Sequence, residues 1–256
     1  MSWKLAVSTL GMPGRPLAES AATAASYGCA GLEIRVHPDE ELNLDSPAPA
    51  RDRARATIAD AGLEIACLAG YSRLCAPEPD AVVVDGLRRL IGLAEDVGAP
   101  SIRVFPGGTR ADTARGQRRI AAVADDLGAS GVRLLVETHD SHPRVADALR
   151  LVEPVGDPAV VALLWDAVHP WLGGEAPGRS RELAGDYLGY FQVKDLAVGA
   201  EKVPVPPGAG DLPLDEHREV LAGWSGWVSL EWELAWYPQI GSVEPALAAA
   251  REWVGP

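Results

Sequence analysis

A (β/α)8 barrel is the architecture this sequence predicts, and three observations point to it. The first is a weak internal repeat. "YGCAGLEIRV" (27–36), "AGLEIACLAG" (61–70), "VGAPSIRVF" (97–105) and "LGASGVRLLVE" (127–137) share one grammar, a helical stretch stopped by a glycine and followed by a short strand. Glycine suits the left-handed position that closes a helix. The stop glycines Gly28, Gly62, Gly98 and Gly128 fall 34, 36 and 30 residues apart, and eight units in 256 residues allot 32 to each. The second observation is the β-rich segment in every unit, which favours strand–helix alternation over a helical solenoid. The third is the strand count, eight, where a doubly wound open sheet usually carries fewer. No GxGxxG opens the first unit, so a dinucleotide fold has no support.

Taken in order, the apolar run at 4–8 is strand one, and the alanine-rich 17–27 is a helix ending at Gly28. Strand 32–36 and helix 51–61, stopped by Gly62, make the second unit. Strand 64–69 leads to helix 82–97, stopped by Gly98, and strand 102–105 to helix 114–127, stopped by Gly128. Strand 133–137 precedes helix 143–152, and strand 162–166 follows. Strand 190–194, the proline- and glycine-rich "KVPVPPGAGDLP" (202–213), helix 214–222, strand 228–231 and helix 243–253 complete the count. The 202–213 stretch reads as a long loop over one barrel mouth. The length suits one barrel, so residues 1–256 are expected to form a single domain.

Composition narrows the function classes. A net charge of −13 argues against a nucleic-acid partner, because phosphate binding wants a basic face. No run approaches the ~20 apolar residues of a membrane span. The N-terminus reaches a strand by Trp3 with no room for a signal peptide, so a cytoplasmic location is expected. Cys29, Cys67 and Cys75 form no CxxC pair and are expected as free thiols.

The C-terminal ends of barrel strands ring the active site. Four predicted strands run straight into an oxygen-bearing side chain there: Glu137, Asp166, Gln192 and Glu231, on strands five to eight. Their separations of 29, 26 and 39 residues are each about one repeat. A single acid at a strand end is more often a helix N-cap or a solvated loop residue. Four in phase with the repeat favour one shared site. Three carboxylates so close cannot all stay ionised without a cation, and a hard divalent ion with oxygen ligands resolves the repulsion.

In "VETH", "WDAVHP", "FQVKD", "PGAGDLPLDE" and "GWVSLEWE" the chain resembles the sugar phosphate isomerase/epimerase family, with its xylose isomerase-like TIM barrel, over nearly its whole length. Members include ketose 3-epimerases, hydroxypyruvate isomerase, inosose dehydratase and, more distantly, endonuclease IV. The resemblance implies a ligand set of Glu137, Asp166 and Glu231, with Gln192 where many relatives have histidine. Hydroxypyruvate isomerases are similar in using glutamine there. An all-oxygen site favours Mn²⁺ or Mg²⁺ over Zn²⁺ or Co²⁺. A sugar or small hydroxy-ketone chelating that ion has its carbonyl polarised and the adjacent C–H acidified. One carboxylate then removes the proton to give a metal-stabilised enediolate, and a second returns it. The resemblance assigns both roles, ligand and proton carrier, to Glu137 and Glu231.

His169, Lys194, Arg35 and Arg103 are the expected substrate contacts. Loop or structural roles are the competing readings, an ion pair with Glu231 in the case of Lys194. His139 is expected to orient Glu137, while Glu33 reads equally as an interior hydrogen-bond partner or a functional acid. The late tryptophans Trp224, Trp227, Trp232 and Trp236 read as barrel wall and substrate rim. Three functions stay open: isomerase or epimerase, a dehydratase using the same enediolate, and a sugar-binding homologue without turnover. An endonuclease IV-like repair enzyme is disfavoured by five histidines and the acidic charge. Relatives are often dimers or tetramers, and the sequence leaves the oligomeric state open.

Overall fold

The helices bury their apolar faces against the outer face of the strands, and inside that layer the strands close into a barrel. The computed structural model describes residues 3–199 and 201–255. Its barrel strands are β1 (Trp3–Ser8), β2 (Gly31–Arg35), β3 (Glu64–Arg73), β4 (Ser101–Phe105), β5 (Arg133–Glu137), β6 (Val161–Asp166), β7 (Leu188–Val193) and β10 (Gly226–Leu230). They close in the order β1-β10-β7-β6-β5-β4-β3-β2, every neighbouring pair parallel. This is the predicted (β/α)8 TIM barrel. Between the last two barrel strands, β8 (Asp195–Val198) and β9 (Lys202–Val205) form an antiparallel ribbon.

The helices are α1 (Leu17–Ser26), α2 (Ala48–Asp60), α3 (Asp80–Val97), α4 (Thr113–Ala121), α5 (Ala124–Ser130), α6 (Val145–Val152), α7 (Val168–Leu172), α8 (Pro177–Ala184), α9 (Leu214–Val220) and α10 (Glu244–Val254). Among the described residues none is long and apolar enough to cross a membrane. Gly28, Gly62 and Gly98 take φ of 72°, 74° and 74° just past their helices, as the repeat predicts. Gly128 does not: it lies within α5, and the left-handed stop is Gly131 at φ 70°. The predicted helix 114–127 is broken after Ala121, and the break carries Val123 into the core, fully buried.

Two further differences have local causes. Residues 168–184 hold α7 and α8, in a strand–strand gap where the alternation implies a helix but the sequence pattern sets no bounds for it. Their prolines and glycines hide the helical pattern, yet Pro177 stands at the first position of α8, where its missing N–H costs nothing. The expected loop 202–213 begins as strand β9, which tolerates Pro204 because a two-stranded ribbon has only edges.

Side chains alternate across each strand. Outward residues join the helices in the large core. Inward, Ala6, Ala66, Cys67, Leu135, Ala162, Leu164 and Tyr190 form an apolar floor. One pleat nearer the C-terminal mouth the inward positions turn polar, at Glu33, Arg103, Glu137, Asp166, Gln192 and Glu231, all buried. The three cysteines are buried and free, with burial raising their thiol pKa values, so they are inert.

Candidate metal centre and active site

Strand register sets which side chains meet. Asp166 pairs with Gln192 across β6 and β7, and Gln192 with Ser229 across β7 and β10, so Glu231 stands one pleat above Gln192. One carboxylate oxygen each from Glu137, Asp166 and Glu231 lies within 4.8 Å of the others. Three strand-end acids predicted to converge are thus together.

Two cations hold this cluster. The Lys194 ammonium is 2.7 Å from Asp166 Oδ2, 2.7 Å from Glu231 Oε2 and 3.0 Å from Glu233 Oε1. Arg103 places Nε 3.1 Å from Glu137 Oε2 and one terminal nitrogen 4.0 Å from Glu231 Oε1, while its other terminal nitrogen donates to the Gly70 carbonyl. Burial opposes the charge on Lys194, yet Asp166 and Glu231 outweigh it and raise its pKa well above the usual value. Burial likewise opposes ionisation of Asp166 and Glu231, but the Lys194 charge prevails and both carboxyl pKa values are lowered. Glu137 goes the other way: burial pushes its pKa up to about 8, with Arg103 only partly compensating. In the ion-free cluster the two glutamates are therefore pushed in opposite directions.

Gln192 and Asp166 show how the local fold aims oxygens. The Gln192 amide nitrogen donates to Glu33 Oε1 at 3.0 Å and to Glu231 Oε1 at 3.2 Å. Two carboxylates demand the donor end of the amide, so its oxygen is the end left without a partner. Asp166 does cap a helix, as the competing reading holds: its Oδ1 accepts from the backbone N–H of Val168 and His169 at the start of α7. Its Oδ2 and Glu137 Oε2 remain buried without an aligned hydrogen-bond donor.

The donor set fits a divalent ion on two counts. Among the described residues, Glu33, Glu137, Asp166, Glu231 and Glu233 meet two permanent cations, Arg103 and Lys194, so the acids outnumber them. The buried Gln192 amide oxygen has neither a hydrogen-bond donor nor a cation, while one oxygen each of Glu137 and Asp166 meets only a cation, without an aligned hydrogen bond. A second donor set, Glu137 with His139 and His169, also meets ligand distances. The all-carboxylate set is the better built, because each member is fully buried, while both histidines are partly exposed and pack edge-on at 4.3 Å.

From the cluster, Arg103, Glu137, Glu231 and Glu233 line a cavity of about 450 Å³, bounded also by Tyr71, Arg73, Phe105, His139, Trp236 and Tyr237. His169 packs against His139 behind the cavity wall, its Nε2 without a hydrogen-bond partner, and burial pushes its pKa down to about 4, which favours the neutral ring. Burial works against charge on His139, but Asp140 outweighs it and raises the ring pKa. Asp140 itself has φ 46°, a rare left-handed conformation for a residue with a side chain. Arg35 stands apart from the cluster: its guanidinium is taken up by Asp39, Glu40 and the Tyr71 hydroxyl.

Sequence reasoning missed Glu233, whose signal is its alternation with Glu231 in "EWE", and left the role of Glu33 undecided. It also missed Asp195. That carboxylate accepts from the backbone N–H of Leu196, Gly208, Gly210 and Leu212, pinning the mouth loop after β9. A Cβ on Gly210 would come within 2.3 Å of Asp195 Oδ1. The "PGAGDLP" motif is thus the other half of a carboxylate clamp.

Residues 21–254 match the family described as xylose isomerase-like TIM barrel. No curated protein matches the sequence significantly. Among solved structures, the probable 3-DHS dehydratase AsbF from Bacillus anthracis has a TM-score of 0.80 at 18% identity, covering 98% of both chains. D-psicose 3-epimerase from Clostridium cellulolyticum H10, solved with D-tagatose, has a TM-score of 0.80 at 17% identity, covering 97% of this chain and 96% of its own. The IOLI protein, solved with a zinc atom, has a TM-score of 0.80 at 16% identity, covering 98% and 96%. At these identities the likeness speaks for the fold.

Proposed function

The chain belongs to the xylose isomerase-like TIM-barrel family, and from that premise we propose that it is a divalent-metal-dependent isomerase or epimerase of a sugar or small hydroxy-ketone, acting as one barrel domain. The observation that carries the reading is the convergence of Glu137, Asp166 and Glu231 within 4.8 Å, with Glu137 and Glu231 lining an open cavity and the Gln192 amide oxygen unpartnered. Glu137, Asp166, Gln192 and Glu231 would hold the ion, with Mn²⁺ or Mg²⁺ preferred for an all-oxygen set. Such an ion supplies polarisation of the substrate carbonyl, which acidifies the neighbouring C–H.

The remaining work falls to side chains. Glu231, kept ionised by Lys194, takes the proton on a carboxylate oxygen. Glu137 is the second carboxylate, which exchanges with water and returns a proton to the substrate. Lys194 and Arg103 fix where the two carboxylates stand. Neutral His169, with Nε2 free, is suited to a substrate hydroxyl. Tyr71, Phe105, Trp236 and Tyr237 give the cavity an aromatic side. The net charge of −13 supports a small-molecule partner over nucleic acid.

The test is incubation of Mn²⁺-loaded protein with ketoses, inososes and hydroxypyruvate in D₂O. Deuterium incorporation at one carbon next to the carbonyl is expected, and loss of water in the product would assign a dehydratase instead. No incorporation from any member of the panel would refute proton abstraction.

A further inference from the structure

A second recess, of about 440 Å³, adjoins the candidate active site and has no part in the chemistry above. It lies between the ends of β2 and β3 and the first half of α3. His37, Tyr71 and Arg73 line both cavities, so these three side chains are a shared partition. Beyond it the walls are mainly apolar, with Val36, Leu44, Val82, Val83 and Leu90. Val82 is 61% exposed at the lip.

Gly86 gives an independent sign that the space is kept open. It lies inside α3, where glycine costs a helix roughly 0.5–1 kcal/mol relative to alanine. No close packing demands it, since an added Cβ would meet only Ser72 Oγ, at 3.7 Å. A larger side chain at this position would grow into the recess. The partition is also where a polar linkage would find a partner, because the Arg73 guanidinium has no ion pair or hydrogen bond among the described residues.

Resting on the proposed ketose chemistry, we infer that the substrate is two-ended. Its hydroxy-ketone end occupies the carboxylate cavity, and an aryl or short alkyl substituent crosses the His37–Tyr71–Arg73 partition into the apolar recess. The occupant is thus an apolar group on the substrate itself, continuous with the end that reacts.

D-fructose and 6-O-benzyl-D-fructose are suitable probes, with Kd read by calorimetry and C–H exchange by NMR in D₂O, both on Mn²⁺-loaded protein. The benzyl ether should bind about tenfold tighter or better, as burial of a phenyl ring provides. Gly86→Leu, which fills the recess away from the carboxylates, should abolish that preference and leave fructose affinity unchanged. Gly86→Ala, too small to fill it, should keep the preference and guard against a folding artefact. Equal affinities in the parent, no binding of either probe, or a preference indifferent to Gly86→Leu would overturn the inference. Deuterium uptake from fructose without any preference would overturn it alone and leave the proton-transfer reading standing.

Discussion

Replacing Lys194 by methionine tests what holds the acidic cluster together. The ammonium is 5% exposed and touches Asp166, Glu231 and Glu233 at 2.7–3.0 Å. Methionine keeps most of the volume and removes the charge. Breaking a buried ion pair by deleting one partner costs about 3–5 kcal/mol, because the other charge stays buried and uncompensated. For a chain of this size each kcal/mol moves Tm by about 2–4 °C, so Lys194→Met should melt about 6–20 °C below the parent in EDTA at pH 7.5. The sign with pH follows from Asp166 and Glu231, whose carboxyl pKa values are lowered in the fold. Their contribution is present above the unfolded values and is lost as pH falls through the folded ones. The deficit of the variant should therefore shrink below about pH 4, near the ordinary carboxylate pKa. Saturating Mn²⁺ should raise Tm more in the variant than in the parent, because the ion supplies the charge the lysine no longer does. Thermal melts followed by circular dichroism suffice. A variant within about 2 °C of the parent in EDTA at pH 7.5, less than 1 kcal/mol by the same conversion, would show that the ammonium is not what neutralises the cluster.

The other predictions concern its neighbours. Glu137→Gln and Glu231→Gln keep an oxygen but lose the base, so each should still bind Mn²⁺, more weakly, and turn over about 10²–10⁴-fold more slowly. Near-normal turnover in both would reassign proton transfer to another group, His169 being nearest at hand. Gln192→Leu should weaken Mn²⁺ binding by titration calorimetry, whereas Gln192→His should shift preference toward Zn²⁺. Glu33→Gln, which lets the amide of Gln192 turn either end inward, should weaken Mn²⁺ binding in the parent but not in the Gln192→His background. In ion-free protein the raised Glu137 pKa favours the fold at low pH, and that contribution is lost as pH rises from its unfolded value toward about 8. Between pH 6.5 and 8 the parent should lose Tm relative to Glu137→Gln, and parallel Tm curves would contradict the raised pKa.

The barrel was legible because its signals are local and repeated. A glycine at the left-handed helix stop and an apolar run after it recur in each early unit, and three of the four stop glycines stand where the repeat puts them. The fourth shows the limit of that signal. "LGASG" offers two glycines three residues apart, and only the path of the chain into β5 selects Gly131 over Gly128. Helices α7 and α8 were hidden for a related reason. Their prolines and glycines read as loop, although a proline at the first helical position is neutral and only its placement relative to the cap decides the matter.

At the site, oxygen-bearing side chains at strand ends are visible in sequence because strand periodicity and barrel topology together dictate where they point. Their partners are less visible, since contact across a closed barrel joins residues far apart in the chain. Glu33 and Gln192 are 159 positions apart yet share a hydrogen bond. The same geometry divides the two arginines that sequence treated alike. Arg103 lies one strand from Glu137 and, facing inward, pairs with Glu137 and Glu231 alone among the described residues, so its charge belongs to the cluster. Arg35 also ends a strand, but the chain after it turns back with Asp39 and Glu40 close behind, and the nearby acids take the guanidinium first. An arginine at a barrel mouth is therefore free for the site only when the loop following its own strand carries no acid close enough to claim it.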